Sequence, residues 1–451
     1  MTGRAVFLLV LAALAVAAGG AVFLRCEGSA PTLAGPEEIF LGREETTLAL
    51  QASDAGSGLR EVRVVLAHAK GEAPLALRAF PGTWLRGGDG GAAAVAIEVP
   101  VDPKALGLAE GSAFLRASAR DWSWRGPLAG NETRLEIPVI VDVTPPRLSV
   151  ENGLTYVRRG GSGAVVYAVE EATARDGVEV GDVFFAGAPL PGAPVAEGLR
   201  RLAIFAIPRN APPDPPVRVV AVDRAGNRRT GGWATRFTER VFEEVSIELT
   251  PRFLDQKIPE LAREVGVQAD ANLAAFQEIN TRVRAENEAR IREIVATSAP
   301  EKLWQGAFVQ LPNSQVTSRF AEHRTYFLEG QPVSEAIHYG YDLATTARSP
   351  IVAANRGRVA FAGDLGIYGQ TLILDHGTGI ATLYGHLSQL EVAEGETVEQ
   401  GREIGRSGDT GLAGGDHLHF AILVGGVYVD PLEWWDPKWV REHVEAFLPA
   451  S

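Results

Sequence analysis

The sequence predicts a mainly β protein built from several modules: two β-sandwich modules, a helical connector, and a C-terminal domain built on an antiparallel β-sheet. Three observations predict it. Short alternating apolar runs between turn signals recur from about residue 31 to residue 242. Apolar residues then switch to helical spacing between residues 253 and 296, and glycine-dense strand patterns return from about 312 to 431. A chain of 451 residues exceeds what one hydrophobic core usually organises, and its 50 glycines and 27 prolines favour turns and short strands over a helical bundle.

Residues 1–27 come first. After Arg4 they run through apolar or small residues from Ala5 to Leu24, enough for a membrane-spanning helix of ~20 residues. This segment is read as a membrane anchor or as a signal peptide, the latter cut near Ala15-Val16-Ala17. Arg25 directly before Cys26 argues against acylation of that cysteine. Either way residues 28–451 are expected to be exported into the cell envelope; with the helix retained, the chain is inner-membrane anchored with its bulk periplasmic or extracellular. The single cysteine forms no intramolecular disulfide and so does not itself report the compartment. A formal net charge of -13 excludes nucleic acid as the main partner, because phosphate binding needs a basic face.

Residues 28–144 and 145–242 form the two β modules. TTLALQAS and LREVRVVL read as strands joined by the turn SDAGSG, and FLRASARDWSW is a strand running into a turn. The double proline of VDVTPPRLSV interrupts the ladder and marks the boundary, with a new strand at Leu148. The strand-then-Asp turn of SARDWS recurs in AVDRAGN near the end of the second module. The two modules resemble bacterial immunoglobulin-like β-sandwiches of envelope proteins. Neither shows a titratable cluster in sequence, so both are read as spacers or as platforms for an envelope protein partner.

The connector, residues 243–311, places Leu273, Phe276, Ile279, Val283, Ile291 and Ile294 at helical spacing. It is read as a stalk or lid helix that docks on the following domain, or as a plain packed linker. Pro259 either sits in a first turn or breaks the shorter helix. The β-rich domain spans 312–437 and a helical tail 438–451. Trp434, Trp435 and Trp439 near its end are read as buried in preference to glycan-binding.

Of the eight histidines, five fall between His338 and His419. IHYGYDLA places His338 and Asp342 four apart. A straight strand would hold them ~13 Å apart at ~3.3 Å per residue, so the segment is expected to bend at Gly340. In GGDHLHFAI, strand alternation sends His417 and His419 to one face and Leu418 and Phe420 to the other. His386 ends another strand-like run, TLYGHLS. His338, Asp342 and one of the 417/419 pair supply three ligands of the types catalytic zinc favours, with a fourth position for water whose pKa falls to ~7. Two histidines remain for proton transfer and oxyanion stabilisation.

As a set, HYGYD, YGHLS and HLHF, in this order, resemble the lysostaphin/LytM-type zinc endopeptidases that cut peptidoglycan peptides. SRF (Ser318 to Phe320), SPIVAANRGRVAFAG, EGETVEQGREIGRSGDTG and VDPLEW support the match, which covers about residues 312 to 436. The resemblance implies a duplicated-hybrid-motif-like sheet and one Zn2+ held by His338, Asp342 and His419. It gives His386 and His417 as the non-ligand pair beside the water and the scissile carbonyl. Two departures stand out: Asp416 precedes His417 where proline is common, and Ala421 follows HLHF where glutamate is common. Asp416 is read as a turn residue in preference to a partner of His417, and His376 as structural. His323 and His443 are expected at the surface, and Arg319 is a candidate for holding a substrate carboxylate. The expected function is hydrolysis of peptidoglycan stem or cross-link peptides by a metal-activated water. The rivals are a non-catalytic envelope protein that binds and activates another wall hydrolase, and a zinc protease with a protein substrate.

Overall fold

The computed structural model describes residues 3–88, 94–191 and 199–448. The chain is mainly β, as its alternating patterns predict, and it divides into two compact units: 1–145 with 222–228, and 146–221 with 229–451.

In the first unit, Thr32–Ala34, Thr46–Ser53 and Val95–Val101 form one antiparallel sheet. Ile39–Leu41, Leu59–His68, Gly71–Ala79, Gly111–Asp121 and Glu132–Val141 form a five-stranded second sheet. TTLALQAS is strand Thr46–Ser53 with Leu48, Leu50 and Ala52 buried at every second position, the period that lets one face of a sheet enter a core. The recurrent Asp turns have a common cause. Asp121 accepts from both the backbone and the side-chain amide of Asn131, and Asp223 does the same with Asn227, so a buried carboxylate satisfies the donors of each turn. One expectation is corrected here. The fold gathers Glu27, Asp54 and Asp121, far apart in sequence, so that their carboxylate oxygens lie within 4.8 Å of one another.

The helix Gly3–Arg25 precedes this sandwich and exposes Phe7, Leu8, Leu9 and Phe23. Among the described residues no helix is long and apolar enough to cross a membrane, and Met1, Thr2 and the side chains of Arg4, Ala5 and Leu24 lie outside them. The membrane expectation for 1–27 therefore rests on the sequence.

The second unit begins with a sandwich that includes Ser162–Val169, Thr173–Val180 and Leu199–Ala206. Helices Pro251–Gln256, Ile258–Glu264, Asn272–Glu278 and Arg284–Val295 follow, with a π-helical turn, Ile279–Val283, joining the last two. Phe276, Ile279, Val283 and Ile291 are buried as their spacing predicts, and Pro259 sits in a first turn, where its missing N–H is harmless. The C-terminal sheet has eight strands. Its centre runs Tyr341–Ala344, Leu418–Val424, Ile380–Leu387, Gln370–Gly377, all antiparallel.

Trp434 is fully buried and donates its indole N–H to Ser162 Oγ at 3.1 Å; Trp435 and Trp439 are half-buried in the same core. This agrees with packing as the role of the three tryptophans. His443 stacks on Trp439, and His323 pairs with Glu244 and Glu335. Both are half-buried rather than at the surface, because an imidazole's flat face packs well while its nitrogens reach polar partners.

His376 is structural, as its position in LDHGTG suggests. It is fully buried, its Nδ1–H donates to Arg356 O at 2.8 Å, and its Nε2 meets Thr382 Oγ1 at 2.7 Å. Burial pushes its pKa down to about 4, so the folded state holds it neutral where an unfolded chain would take up a proton. Its contribution to stability is complete above about pH 6.5 and is lost as pH falls towards 4, up to ~3 kcal/mol. Urea unfolding of the full chain from pH 7 to pH 4 is expected to show this loss, and His376→Asn, which stays neutral, should flatten that part of the profile.

Candidate metal centre and catalytic cleft

Tyr341–Ala344 and Leu418–Val424 pair antiparallel with Asp342 directly opposite His419, and Gly385 of the next strand lies opposite His419 on its other side. Strand register alone thus sets a carboxylate beside an imidazole. His338 reaches the same point because strand Gln331–Ile337 ends just before it and the chain bends at Gly340. A Cβ on residue 340 would meet Phe420 O at 2.5 Å and His419 Cε1 at 2.7 Å, so only glycine lets the bend close.

The result is three buried donor atoms in a near-equilateral triangle. His338 Nε2 is 2.9 Å from Asp342 Oδ1 and 3.0 Å from His419 Nδ1, which is itself 3.0 Å from Asp342 Oδ1. His338 donates its Nδ1–H to Arg319 O at 2.9 Å. In the neutral ring this leaves a lone pair on Nε2, facing a carboxylate oxygen and a second imidazole nitrogen. A proton on His419 Nδ1 or a cation between the three relieves the repulsion of these lone pairs, and two imidazoles with one carboxylate are a donor set suited to zinc. His419 Nε2 is buried without a hydrogen-bond partner, which leaves Nδ1 as that ring's engaged atom. Burial alone would raise the Asp342 pKa, but His338, His417 and His419 around it hold it well below the ordinary carboxylate range.

The other two expected histidines stand beside this triangle. His386 donates Nδ1–H to Thr410 O at 2.8 Å, and His417 donates Nδ1–H to Gly415 O at 2.7 Å, so neither backbone bond uses Nε2. Their ring centroids are 4.8 Å apart. His386 sits at φ +64°, in the left-handed region that a residue with a Cβ rarely adopts. Burial and the neighbouring His417 and His419 hold its pKa well below the usual imidazole value. His417 is opposite: burial would lower it, but Asp342, 3.5 Å from its Nε2, raises it overall. One wall of the cleft therefore holds a neutral imidazole and the other a more basic one.

Arg319 lies elsewhere. Its guanidinium is exposed and paired with Glu243 at 2.6 Å, and its contribution to the centre is the carbonyl that fixes the His338 tautomer. Asp416 accepts from Ser407 Oγ at 2.6 Å and from Arg348 N–H at 3.0 Å, which agrees with its reading as a turn residue. Two contributors carry no mark in the sequence. Arg324 Nη2 is 3.1 Å from both Asp342 Oδ2 and Glu322 Oε2, so it occupies the carboxylate oxygen that the triangle does not use. Tyr368 tilts over His419 and donates to Glu288 of the connector at 2.7 Å. Only the fold shows their partners. Together with Arg284 of the connector, these groups line a cavity of about 120 Å³.

Residues 336–431 match the family model described as Peptidase family M23. The chain is 38% identical over 96 residues to the DD-carboxypeptidase/endopeptidase Mpg of Neisseria meningitidis serogroup B, covering 21% of this chain and 22% of that protein. It is 33% identical over 119 residues to the peptidoglycan DD-endopeptidase ShyB of Vibrio cholerae, covering 26% of this chain and 27% of that one. The chain thus spans about a quarter of the length of these curated relatives. Among solved structures, the catalytic domain of lysostaphin from Staphylococcus simulans is 28% identical, covers 28% of this chain and 96% of its own, and superposes with a TM-score of 0.24.

The geometry separates the two histidines of HLHF. His419→Ala is expected to abolish metal binding, whereas His417→Ala keeps one metal per chain and loses turnover. Elemental analysis of the two purified full-length variants, paired with kcat on a cross-linked muropeptide, checks both; wild-type metal content in His419→Ala would contradict the assignment.

Proposed function

We propose that this chain, which carries a C-terminal domain of peptidase family M23, is a zinc-dependent endopeptidase that hydrolyses peptide bonds in peptidoglycan stem or cross-link peptides. The observation that carries the reading is the buried triangle of His338, Asp342 and His419, whose donor atoms sit at most 3.0 Å apart with the His338 proton turned away onto Arg319 O. The similarity to peptidoglycan endopeptidases supports the substrate class.

A zinc ion held by those three residues supplies Lewis acidity to a carbonyl and makes water a stronger acid. The rest is work for side chains of this chain. Arg324 fixes Asp342 through Oδ2 and leaves Oδ1 to the metal. His386, held neutral and anchored through Nδ1 to Thr410 O, takes the proton of the attacking water on Nε2. His417, anchored to Gly415 O and drawn towards its cationic form by Asp342, donates from Nε2 to the oxyanion that develops on the attacked carbonyl. Tyr368 closes the floor beside His419.

The exposed apolar side chains of Gly3–Arg25 support placement at a membrane, as an anchor with the bulk of the chain in the cell envelope. The two β-sandwich modules are read as spacers or as platforms for an envelope protein partner.

Digestion of defined cross-linked muropeptides by the full chain tests the proposal. Wild type is expected to release cleaved stems, and His338→Ala to lose at least 10²-fold in kcat together with its metal. Identical products from both proteins, or from neither, would remove the enzyme reading in favour of a non-catalytic partner of another hydrolase. Faster cleavage of an unfolded protein than of murein would move the substrate class.

A further inference from the structure

One face of the connector forms a wall of the cleft. On one rim, Gln277 Nε2 donates to Val333 O at 2.8 Å, and Asn280 Nδ2 donates to Ser334 Oγ at 2.8 Å and to Glu335 O at 3.2 Å. On the other rim, Asn287 Oδ1 accepts from Ile367 N–H at 2.9 Å and Glu288 accepts from the Tyr368 hydroxyl at 2.7 Å. Arg284 lies between these two sets of anchors, four residues from Asn280 and four from Glu288, so it shares their face. It directly follows the π-helical turn Ile279–Val283, whose wider turn re-aims every later side chain, a feature common at functional sites.

The Arg284 guanidinium is held along one edge. Nη2 and Nε donate to Asn280 Oδ1 at 2.8 and 3.2 Å, and Nε also reaches Asn280 O at 3.3 Å. Among the described residues Asn280 is its hydrogen-bond partner and no carboxylate pairs with it. Yet Arg284 lines the same cavity as His338, Asp342, His386, His417 and His419. Arg324, the other arginine there, is committed to Asp342 and Glu322. Arg284 is thus a cation oriented by an amide, with Glu288 acting on it at longer range and no carboxylate paired with it among the described residues, at the edge of the reacting groups.

We infer that Arg284 binds a carboxylate of the peptide substrate, so that the connector supplies a substrate-recognition residue that the family-matched segment 336–431 does not contain. The inference rests on the peptidase reading above. A guanidinium held on one edge presents its remaining N–H groups to a carboxylate in a fixed plane, a geometry a lysine does not reproduce. The carboxylate role that the sequence suggested for Arg319, whose side chain is spent on Glu243, falls to Arg284 instead. Two sources offer that anion: the C-terminus of a stem peptide and the free carboxylate of an acidic residue within it.

The test uses the full chain and three synthetic stem peptides: one with every carboxylate free, one with its C-terminus amidated, one with its internal carboxylate amidated. Wild type is expected to show a KM for the free peptide lower by on the order of tenfold to a hundredfold than for one of the two amides, and which amide suffers identifies the carboxylate. Arg284→Gln should raise the KM of the free peptide to that of the amide, and Arg284→Lys should recover part of the difference. Equal KM values for all three peptides in wild type would overturn the inference while leaving the peptidase reading intact. So would a gain of activity in Arg284→Gln, which would make the residue part of a plug. If wild type cleaves none of them, the peptidase reading falls. Calorimetric titration of the same free peptide then decides on Arg284: tighter binding by wild type than by Arg284→Gln upholds it, and equal binding overturns it.

Discussion

Three buried donor atoms converge on one point, and the rest of the domain serves to hold them there. Two imidazole nitrogens and a carboxylate oxygen no more than 3.0 Å apart would repel one another if each kept its lone pair and nothing lay between them. The hydrogen bond from His338 Nδ1 to Arg319 O blocks the simplest escape, a proton on Nε2 of the neutral ring. A cation bound among the three would remove that repulsion, and the sheet brings the three donors together. Asp342 and His419 meet through strand register, His338 is brought in by the bend at Gly340, and Arg324 neutralises the second oxygen of Asp342.

The same constraint explains what was legible in the sequence. Alternation and helical spacing are local properties, so strand Thr46–Ser53 and the buried face Phe276, Ile279, Val283 could be read directly. The bend at Gly340 was readable too, because a straight strand cannot bring His338 to Asp342. Alternation alone, however, made His417 and His419 equivalent. They differ because His419 lies inside the ladder opposite Asp342, while His417 stands just outside it, bridged to Gly408. Only the resemblance to a known family distinguished them beforehand.

What remained hidden depends on partners far away in the chain. Arg319 was attractive because it sits beside a motif, but Glu243, 76 residues earlier, takes its side chain. Arg324 and Arg284 belong to no sequence motif; one is half-buried and paired with Asp342, and the other lines the cleft. The acidic group of Glu27, Asp54 and Asp121 was invisible for the same reason. The connector shows how pattern can mislead by being incomplete. Its apolar face announces a packed helix, whereas of the polar residues between, Asn280, Asn287 and Glu288 anchor it to the neighbouring segments and Arg284 lines the cleft.

The proposed zinc ion would lie within the triangle of His338, Asp342 and His419. Anomalous diffraction from crystals of the full chain, collected on both sides of the zinc absorption edge, tests it most directly. One strong peak is expected within bonding distance of His338 Nε2, Asp342 Oδ1 and His419 Nδ1, present above the edge and weak below it. Well-ordered side chains at these positions with no peak between them, in protein never exposed to chelator, would contradict it.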